Sequence, residues 1–204
     1  MLKKSKKITA LFMAFFLVAL STVCMANDKS GSEIYAKITI KNNETGEQKV
    51  VKAEVTPSVM TRSVDGSIDA GCDIYIPIDS GISLYTDEGG SKSSGGVTAK
   101  LNVNYNLSAN NEQIKVNRLY GSWVPDSNNY TLSDRVAAVH SGVISGKKLE
   151  KYPTSNSFSY TTGWGYNDRA LSTDAGPRAW SEATIHVIGM TATHDITVEF
   201  TFGI

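Results

Sequence analysis

Alternation of apolar and polar residues is the feature that most constrains how this chain can fold. In the segment VTAKLNVNYNLS, every second residue is apolar: Leu101, Val103, Tyr105 and Leu107. The end of the chain repeats the pattern at Ile196, Val198, Phe200 and Phe202. A period of two puts successive side chains on opposite faces of an extended chain, so each segment predicts a β-strand with one buried face.

Strands of this kind account for most of the remaining sequence. IYAKITIK and EQKVVKAEV flank NNETG, and VTAKLNVNYNLS precedes ANN and EQIKVNRLYGSW, so two hairpins are predicted. Further strands are predicted in CDIYIPI, ISLYT, VAAVHSGVI, SFSYTT and EATIHVIGM. LSDRVAAVH could form a helical turn at most, because no segment has a sustained helical period with a capping residue. The pattern indicates an all-β fold, and we favour an Ig-like or jelly-roll-like antiparallel β-sandwich over a barrel.

The N-terminus has the layout of a secretory leader. Residues 1–7 carry four lysines, and the apolar run ITALFMAFFLVAL occupies residues 8–20. A basic head, an apolar middle that is short for a membrane span and then small residues are typical of a cleaved signal peptide. Residues 1–26 are therefore predicted to be a signal peptide that directs the protein out of the cell, and the lysine-rich head indicates a bacterial source.

The cleavage site has two interpretations. Cys24 and Ala26 put small side chains at the two positions that a signal peptidase must accept, which predicts a cut after Ala26. The competing interpretation is a lipid-modified Cys24. We disfavour it because Ser21-Thr22-Val23 departs from the residues that usually precede a lipoprotein cysteine.

Removing the leader changes the charge of the chain. Of the 204 residues, 178 remain, and the loss of four lysines from 20 basic and 20 acidic residues leaves a net charge of −4. This mild acidity argues against a nucleic acid or an anionic lipid surface as the partner. We expect residues 27–204 to form one secreted domain that has no membrane contact after cleavage and carries a flexible loop near residues 86–96, TDEGGSKSSGG.

Cysteine and histidine residues give little support for a metal or a cofactor. Cys72 is the single cysteine left after cleavage, so no intrachain disulfide can form, and we expect a buried thiol. His140, His186 and His194 lack the spacing of zinc motifs, and the polarity of His194 is expected to belong to a turn. No metal and no cofactor are expected.

Four aspartates in SVDGSIDAGCDIYIPIDSG offer the chemistry of a hydrolase: Asp65, Asp69, Asp73 and Asp79. Glycosidases need two carboxylates several ångströms apart, so an extracellular hydrolase is an alternative function. The Asp-Gly and Asp-Ser-Gly contexts are more typical of turns in which the carboxylate accepts backbone N–H bonds. No residue is predicted to be catalytic.

Aromatic residues in two glycine-containing segments are the best candidates for ligand binding. NRLYGSWVPDSNNYTLSDR and SYTTGWGYNDR both combine tyrosine, tryptophan and an Asp-Arg pair. Exposed aromatic rings stack on sugars or fill a partner's pocket, although the same residues can also plug the end of a sandwich. The candidate ligand-binding residues are Trp123, Trp164, Tyr166, Asp168, Arg169 and Trp180.

The function predicted from these features is a secreted, non-enzymatic module that binds a cell-surface glycan or a protein. An extracellular hydrolase and a secreted bacteriocin or toxin are the alternatives. A fold of this class does not by itself indicate an activity, so the prediction depends on the aromatic residues.

Overall fold

The computed structural model describes residues 35–54, 61–62, 65–78, 95–142, 146–170, 172 and 174–203. These residues form β-strands and no helix, which confirms the all-β class. None of the described segments is an apolar helix long enough to cross a bilayer. The predicted signal peptide, the strand ISLYT, Asp79 and residues 86–94 of the predicted flexible loop lie outside the described residues.

The strands follow one another with short connections through most of the described chain. In chain order they are β1 (Tyr35–Asn42), β2 (Gln48–Glu54), β3 (Thr61–Arg62), β4 (Ile68–Pro77), β5 (Gly96–Leu107), β6 (Gln113–Pro125), β7 (Tyr130–His140), β8 (Lys148–Lys151), β9 (Ser157–Thr161), β10 (Asn167–Asp168), β11 (Arg178–Val187) and β12 (Thr193–Thr201).

Two antiparallel sheets are built from these strands. The first sheet has the order β2-β1-β12-β11-β7-β8, and the second has the order β10-β6-β5-β4-β3 with β9 also paired to β6. The β1–β2 and β5–β6 pairs are the two predicted hairpins, which the structure confirms. The first sheet brings the first and last described strands side by side, because β1 pairs with β12.

The inward faces of both sheets contribute to one apolar core. Val103 of the second sheet and Ile196 and Val198 of the first are fully buried, and Phe200 is 2% exposed. The two sheets therefore form a sandwich-like arrangement in which the alternation seen in the sequence separates core from surface. Cys72 belongs to the same core, and burial raises the pKa of its thiol to about 12, so the thiol stays protonated at neutral pH.

A helical turn at Leu132–His140 was the wrong alternative, because these residues lie within β7. The register with β11 shifts there: Val136 pairs with Glu182, and Ser133 pairs with Thr184. Two residues of β7 thus oppose one residue of β11, which is a β-bulge, and Asp134 has a positive φ of 47°. The bulge explains why this segment departs from simple alternation.

Trp123 connects the two sheets through the core. Its ring is 2% exposed, and its indole Nε1 donates a hydrogen bond of 3.0 Å to Ser181 Oγ. Trp123 lies in β6 of the second sheet, whereas Ser181 lies in β11 of the first. Ser181 Oγ in turn donates to the carbonyl of Val136 at 3.1 Å, so both polar groups are satisfied inside the core.

We expect Trp123→Phe to lower the free energy of unfolding by about 1–3 kcal/mol, because Ser181 loses a buried partner and the smaller ring leaves space. Chemical denaturation would measure the change. Ser181→Ala and the double variant complete a thermodynamic cycle, and we expect the double variant to lose less stability than the sum of the two single variants. Additive losses would contradict the bond as the source of the effect.

The structure corrects the expectation that the polarity of His194 belongs to a turn. Its side chain lies on the inward face of β12 and is 4% exposed. Its Nδ1 atom has no hydrogen-bond partner within the described part of the chain. Burial lowers the pKa of His194, since the charged ring would be poorly solvated there.

His194 should make folding sensitive to mild acid. Because its pKa is lowered in the folded state, its contribution to stability is fully present above the ordinary histidine value of about 6.5 and is lost as the pH falls below it. The loss should be at most about 1.4 kcal/mol per pH unit. Denaturation curves between pH 7 and pH 5 would show a shallower dependence in His194→Phe than in the unchanged protein. Equal slopes in the two proteins would contradict this assignment.

Candidate functional site

The structure places the six candidate residues in three separate regions. Trp123 is in the core, so its ring is not available to a ligand in this structure. Trp180 lies in β11, on the outward face of the first sheet. The remaining four residues belong to a short segment beside β6 of the second sheet: Trp164, Tyr166, Asp168 and Arg169.

We call residues 162–169 the β6 ribbon, because this segment follows the edge of β6. Thr162 begins it, with its backbone N–H donating to the carbonyl of Asn117 at 2.9 Å and its hydroxyl donating to the carbonyl of Val116. β10 then pairs with Ile114 and Gln113 of β6. The ribbon is therefore fixed to the sheet at both ends.

Trp164 and Tyr166 differ in burial on the ribbon. Trp164 is partly buried and packs against the apolar core, and its backbone N–H donates to Thr162 Oγ1 at 3.1 Å. Tyr166 is 48% exposed. Gly163, with a φ of 67°, makes the turn that begins this arrangement. Trp164 thus anchors the ribbon, and Tyr166 is the aromatic ring that the ribbon presents to solvent.

Asp168 and Arg169 hold the far end of the ribbon. Asp168 accepts a hydrogen bond of 3.3 Å from Gln113 Nε2. The Arg169 guanidinium donates to the carbonyl of Gly203 and, at 2.8 Å, to that of Asn111. These bonds join the ribbon to the end of β12 and to the β5–β6 turn. Arg169 therefore has a structural role here, since its donors are directed at backbone oxygens.

Trp180 lies against other side chains on the outward face of the first sheet. It is directly opposite Ala138 of β7, which is fully buried although it lies outside the core cluster. Lys148 Nζ lies 5.3 Å from the centroid of the indole, and the His140 ring meets it edge-on at 5.9 Å. These neighbours cover much of the ring and leave Trp180 less open to a ligand than Tyr166.

Glu182 is a carboxyl group with a raised pKa on the same face as Trp180. Burial raises its pKa, and the nearby carboxylates of Glu150, Asp195 and Glu199 raise it further. No group of three or more His, Cys, Asp or Glu side chains that could hold a metal ion occurs within the described ranges. Two of these carboxylates have cationic partners: Glu150 forms an ion pair with Lys148 at 2.6 Å, and Glu199 forms one with Lys37 at 3.0 Å.

Glu182→Gln should raise the free energy of unfolding at pH 7 by about 0.5 kcal/mol, because the neutral side chain removes the cost of burying a charge near other carboxylates. Because the pKa is raised in the folded state, the penalty is present at neutral pH and disappears as the pH falls through the region just above the ordinary value of 4.5. Denaturation at pH 7 and pH 4 would test both points. A stabilisation that persists at pH 4, or none at pH 7, would contradict the charge effect.

Two of the aspartates proposed for a hydrolase, Asp69 and Asp73, are too far apart along β4 to form a glycosidase pair. Asp69 and Asp73 share the outward face of β4 but are four residues apart, a distance of about 13 Å along a strand. Paired glycosidase carboxylates lie about 5–9.5 Å apart. Asp69 accepts a 3.0 Å bond from the Tyr120 hydroxyl, and Asp73 forms a 2.8 Å ion pair with Lys100. Both carboxylates thus have structural partners.

Asp65 confirms the interpretation of the Asp-Gly context as a turn. Its carboxylate accepts hydrogen bonds from the backbone N–H of Ser67 at 3.0 Å and from the Ser67 hydroxyl at 2.8 Å. These bonds stabilise the ionised form and lower the pKa of Asp65.

A serine and a histidine meet at the β7 bulge, and sequence analysis did not indicate this pair. Ser133 Oγ lies 2.8 Å from His186 Nε2 and donates a hydrogen bond of 2.7 Å to Asp134 Oδ2. A hydroxyl has one proton, and the Ser133 proton is directed at Asp134. His186 Nε2–H is therefore the donor in the bond to Ser133 Oγ. A nucleophilic serine requires the opposite polarity, in which the histidine accepts the hydroxyl proton.

Arg118 and Tyr120 form a second group that the sequence did not reveal. Ile114 and Val116 point inward, and strict alternation would place Arg118 inward with them. A register shift beside Asn104 and Tyr105 of β5 inserts one residue at this point of β6, so that Arg118 is exposed. Its guanidinium carbon lies 4.7 Å from the centroid of the Tyr120 ring.

Comparisons with protein-family models, with curated proteins and with solved structures gave no match.

Proposed function

We propose that this protein is a secreted, non-enzymatic β-sandwich module that binds glycans at the cell surface, with Tyr166 as the central contact. The observation that carries the proposal is the exposure of Tyr166 on a ribbon anchored by Trp164 and Arg169. Export through a signal peptide cleaved after Ala26, and an Ig-like or jelly-roll-like type of sandwich, are parts of the same proposal.

Rigid presentation is what makes Tyr166 suited to binding. A sugar ring stacks its C–H groups on an aromatic face, and a tyrosine hydroxyl adds a hydrogen bond at the edge of the contact. A ring on a mobile loop would lose conformational freedom on binding. The backbone of the β6 ribbon is already fixed by its bonds to Val116, Asn117 and Ile114, which reduces that entropic cost.

The surface beside Tyr166 also favours a polar ligand. The outward side chains of β5 and β6 near the ribbon include amides and hydroxyls, and Asn117 Nδ2 donates to Asn104 and Asn106 at 2.8 and 2.6 Å. Amide groups are both donors and acceptors, as are sugar hydroxyls. A glycan therefore fits this face better than an apolar segment of a protein partner.

The non-enzymatic part of the proposal is supported by the hydrogen bonds and ion pairs that the candidate catalytic groups already make. Asp69 and Asp73 are bonded to Tyr120 and Lys100, and the Ser133 hydroxyl donates to Asp134. Binding alone requires no activated group, whereas hydrolysis would require these contacts to break. The hydrolase and toxin alternatives have no comparable supporting observation.

Tyr166→Ala should weaken binding to the glycans that the unchanged protein retains, by about tenfold, because the stacking surface is removed. Glycan-array screening followed by calorimetry on the best ligand would measure the effect. Tyr152→Ala is the matched control, since Tyr152 is 70% exposed and follows β8 of the other sheet.

The control should bind as the unchanged protein does. Equal affinity of Tyr166→Ala and the unchanged protein would remove Tyr166 from the site, and the absence of any bound glycan would reject the proposed function. Retention of a cell-surface protein in place of a glycan would favour the other partner class.

A further inference from the structure

We propose that Arg118 makes this surface selective for glycans that carry a carboxylate, such as those containing sialic or uronic acids. The inference rests on the proposed glycan-binding function and adds the chemical class of the ligand. It comes from the position of one guanidinium group on the outward face of β6.

The guanidinium of Arg118 is held in place before any ligand arrives. Its Nε atom donates a hydrogen bond of 2.7 Å to Ser159 Oγ of β9, and its central carbon lies 4.7 Å from the Tyr120 ring centroid. Tyr120 is itself fixed, because its hydroxyl donates to Asp69 Oδ1 at 3.0 Å. Arg118 therefore rests on an ordered ring and is oriented by an ordered strand.

The rest of the guanidinium remains available. Of the polar atoms of Arg118, Nε is bonded, while Nη1 and Nη2 have no hydrogen bond or ion pair among the residues that the structure describes. A guanidinium has five N–H donors in one plane, so most of its donors face no protein acceptor. Two of them on one edge match the two oxygens of a carboxylate.

The charge around Arg118 suits an anionic ligand. Lys115 lies on the same strand face and forms no ion pair within the described ranges, and Asp73 is paired with Lys100. Asp69 belongs to the same row of the sheet but lies two strands away, with the backbones about 10 Å apart, and its carboxylate accepts the Tyr120 hydroxyl. The two charged side chains of β6, Lys115 and Arg118, are therefore both positive and without an ion pair among the described residues.

Arg118 and Tyr166 belong to one continuous surface. Arg118 pairs with Thr161, the last residue of β9, and the β6 ribbon begins at the next residue. Tyr166 immediately precedes β10, whose Asn167 pairs with Ile114 of β6. Arg118 and Ile114 are four residues apart along β6, a distance of about 13 Å that suits an oligosaccharide with one ring on Tyr166 and an acidic ring at Arg118.

Matched pairs of ligands test the selectivity. Sialyllactose and trigalacturonic acid, each compared with its own methyl ester, differ from their neutral partners in the charge of the carboxylate. With the full secreted protein, we expect at least one acidic ligand to bind about tenfold more tightly than its neutral partner, with a preference that weakens at high salt. Calorimetry at low and at high salt would measure this difference.

Variants separate the geometry of Arg118 from its charge. Arg118→Gln should weaken the binding of the acidic ligand much more than that of the neutral one, so that the preference disappears. Arg118→Lys keeps the charge but lacks the planar fork, so we expect it to recover less than half of the preference. Ser159→Ala, which frees Nε, should reduce the preference about threefold.

Lys151→Gln is the control for net charge, because Lys151 is an exposed lysine of β8 in the other sheet. It should bind both members of each pair as the unchanged protein does. Circular dichroism of every variant would confirm that the fold is kept.

The outcomes distinguish this inference from the function on which it rests. Equal binding of acidic and neutral ligands, or an undiminished preference in Arg118→Gln, would overturn the role of Arg118 while glycan binding stands. If no glycan bound at all, the proposed function would fail. An Arg118-dependent interaction with a capped polyglutamate peptide, without binding to either acidic glycan, would show an anionic protein partner and overturn the glycan assignment.

Discussion

The burial of one face of every long strand is the constraint on which the rest of this structure depends. Ile196 and Val198 of β12 and Leu101 of β5 pack into one core between the two sheets. Because side chains alternate along a strand, each buried residue places its neighbours on the outside. The core therefore decides which polar side chains share a surface, including the row that contains Asp69, Asn104 and Arg118.

Alternation made the strands predictable because the physical cause is local. The apolar residues of VTAKLNVNYNLS and ITVEFTF face inward, and the two predicted hairpins are present. The predicted pattern was wrong or incomplete where pairing with a strand distant in sequence interrupted the alternation of side chains. The bulge at Asp134 and the register shift at Arg118 each insert a residue, and their positions depend on the partner strand.

The aromatic residues show the same limit of prediction from sequence. Composition indicated that Trp123, Trp164, Tyr166 and Trp180 are unusual, but it could not say which rings reach solvent. That outcome depends on contacts between distant parts of the chain: Ser181 fixes Trp123, Lys148 covers Trp180, and the core holds Trp164. Tyr166 remains exposed because its neighbour on the ribbon supplies the anchor. Sequence could therefore define the candidates, while the pairing of the strands selected among them.

Under the proposed function, the contacts that stabilise the second sheet also orient the groups that would bind the ligand. Ser159 bonds Arg118 across the β6–β9 pair, and Asp69 bonds Tyr120 across two strands, so each bond that ties the sheet together also orients a group on its surface. Such a surface needs little reorganisation when a ligand arrives, and selectivity then depends on the direction of a few fixed donors. In the proposed function, the outward face of this sheet therefore discriminates ligands by charge and hydrogen-bond geometry.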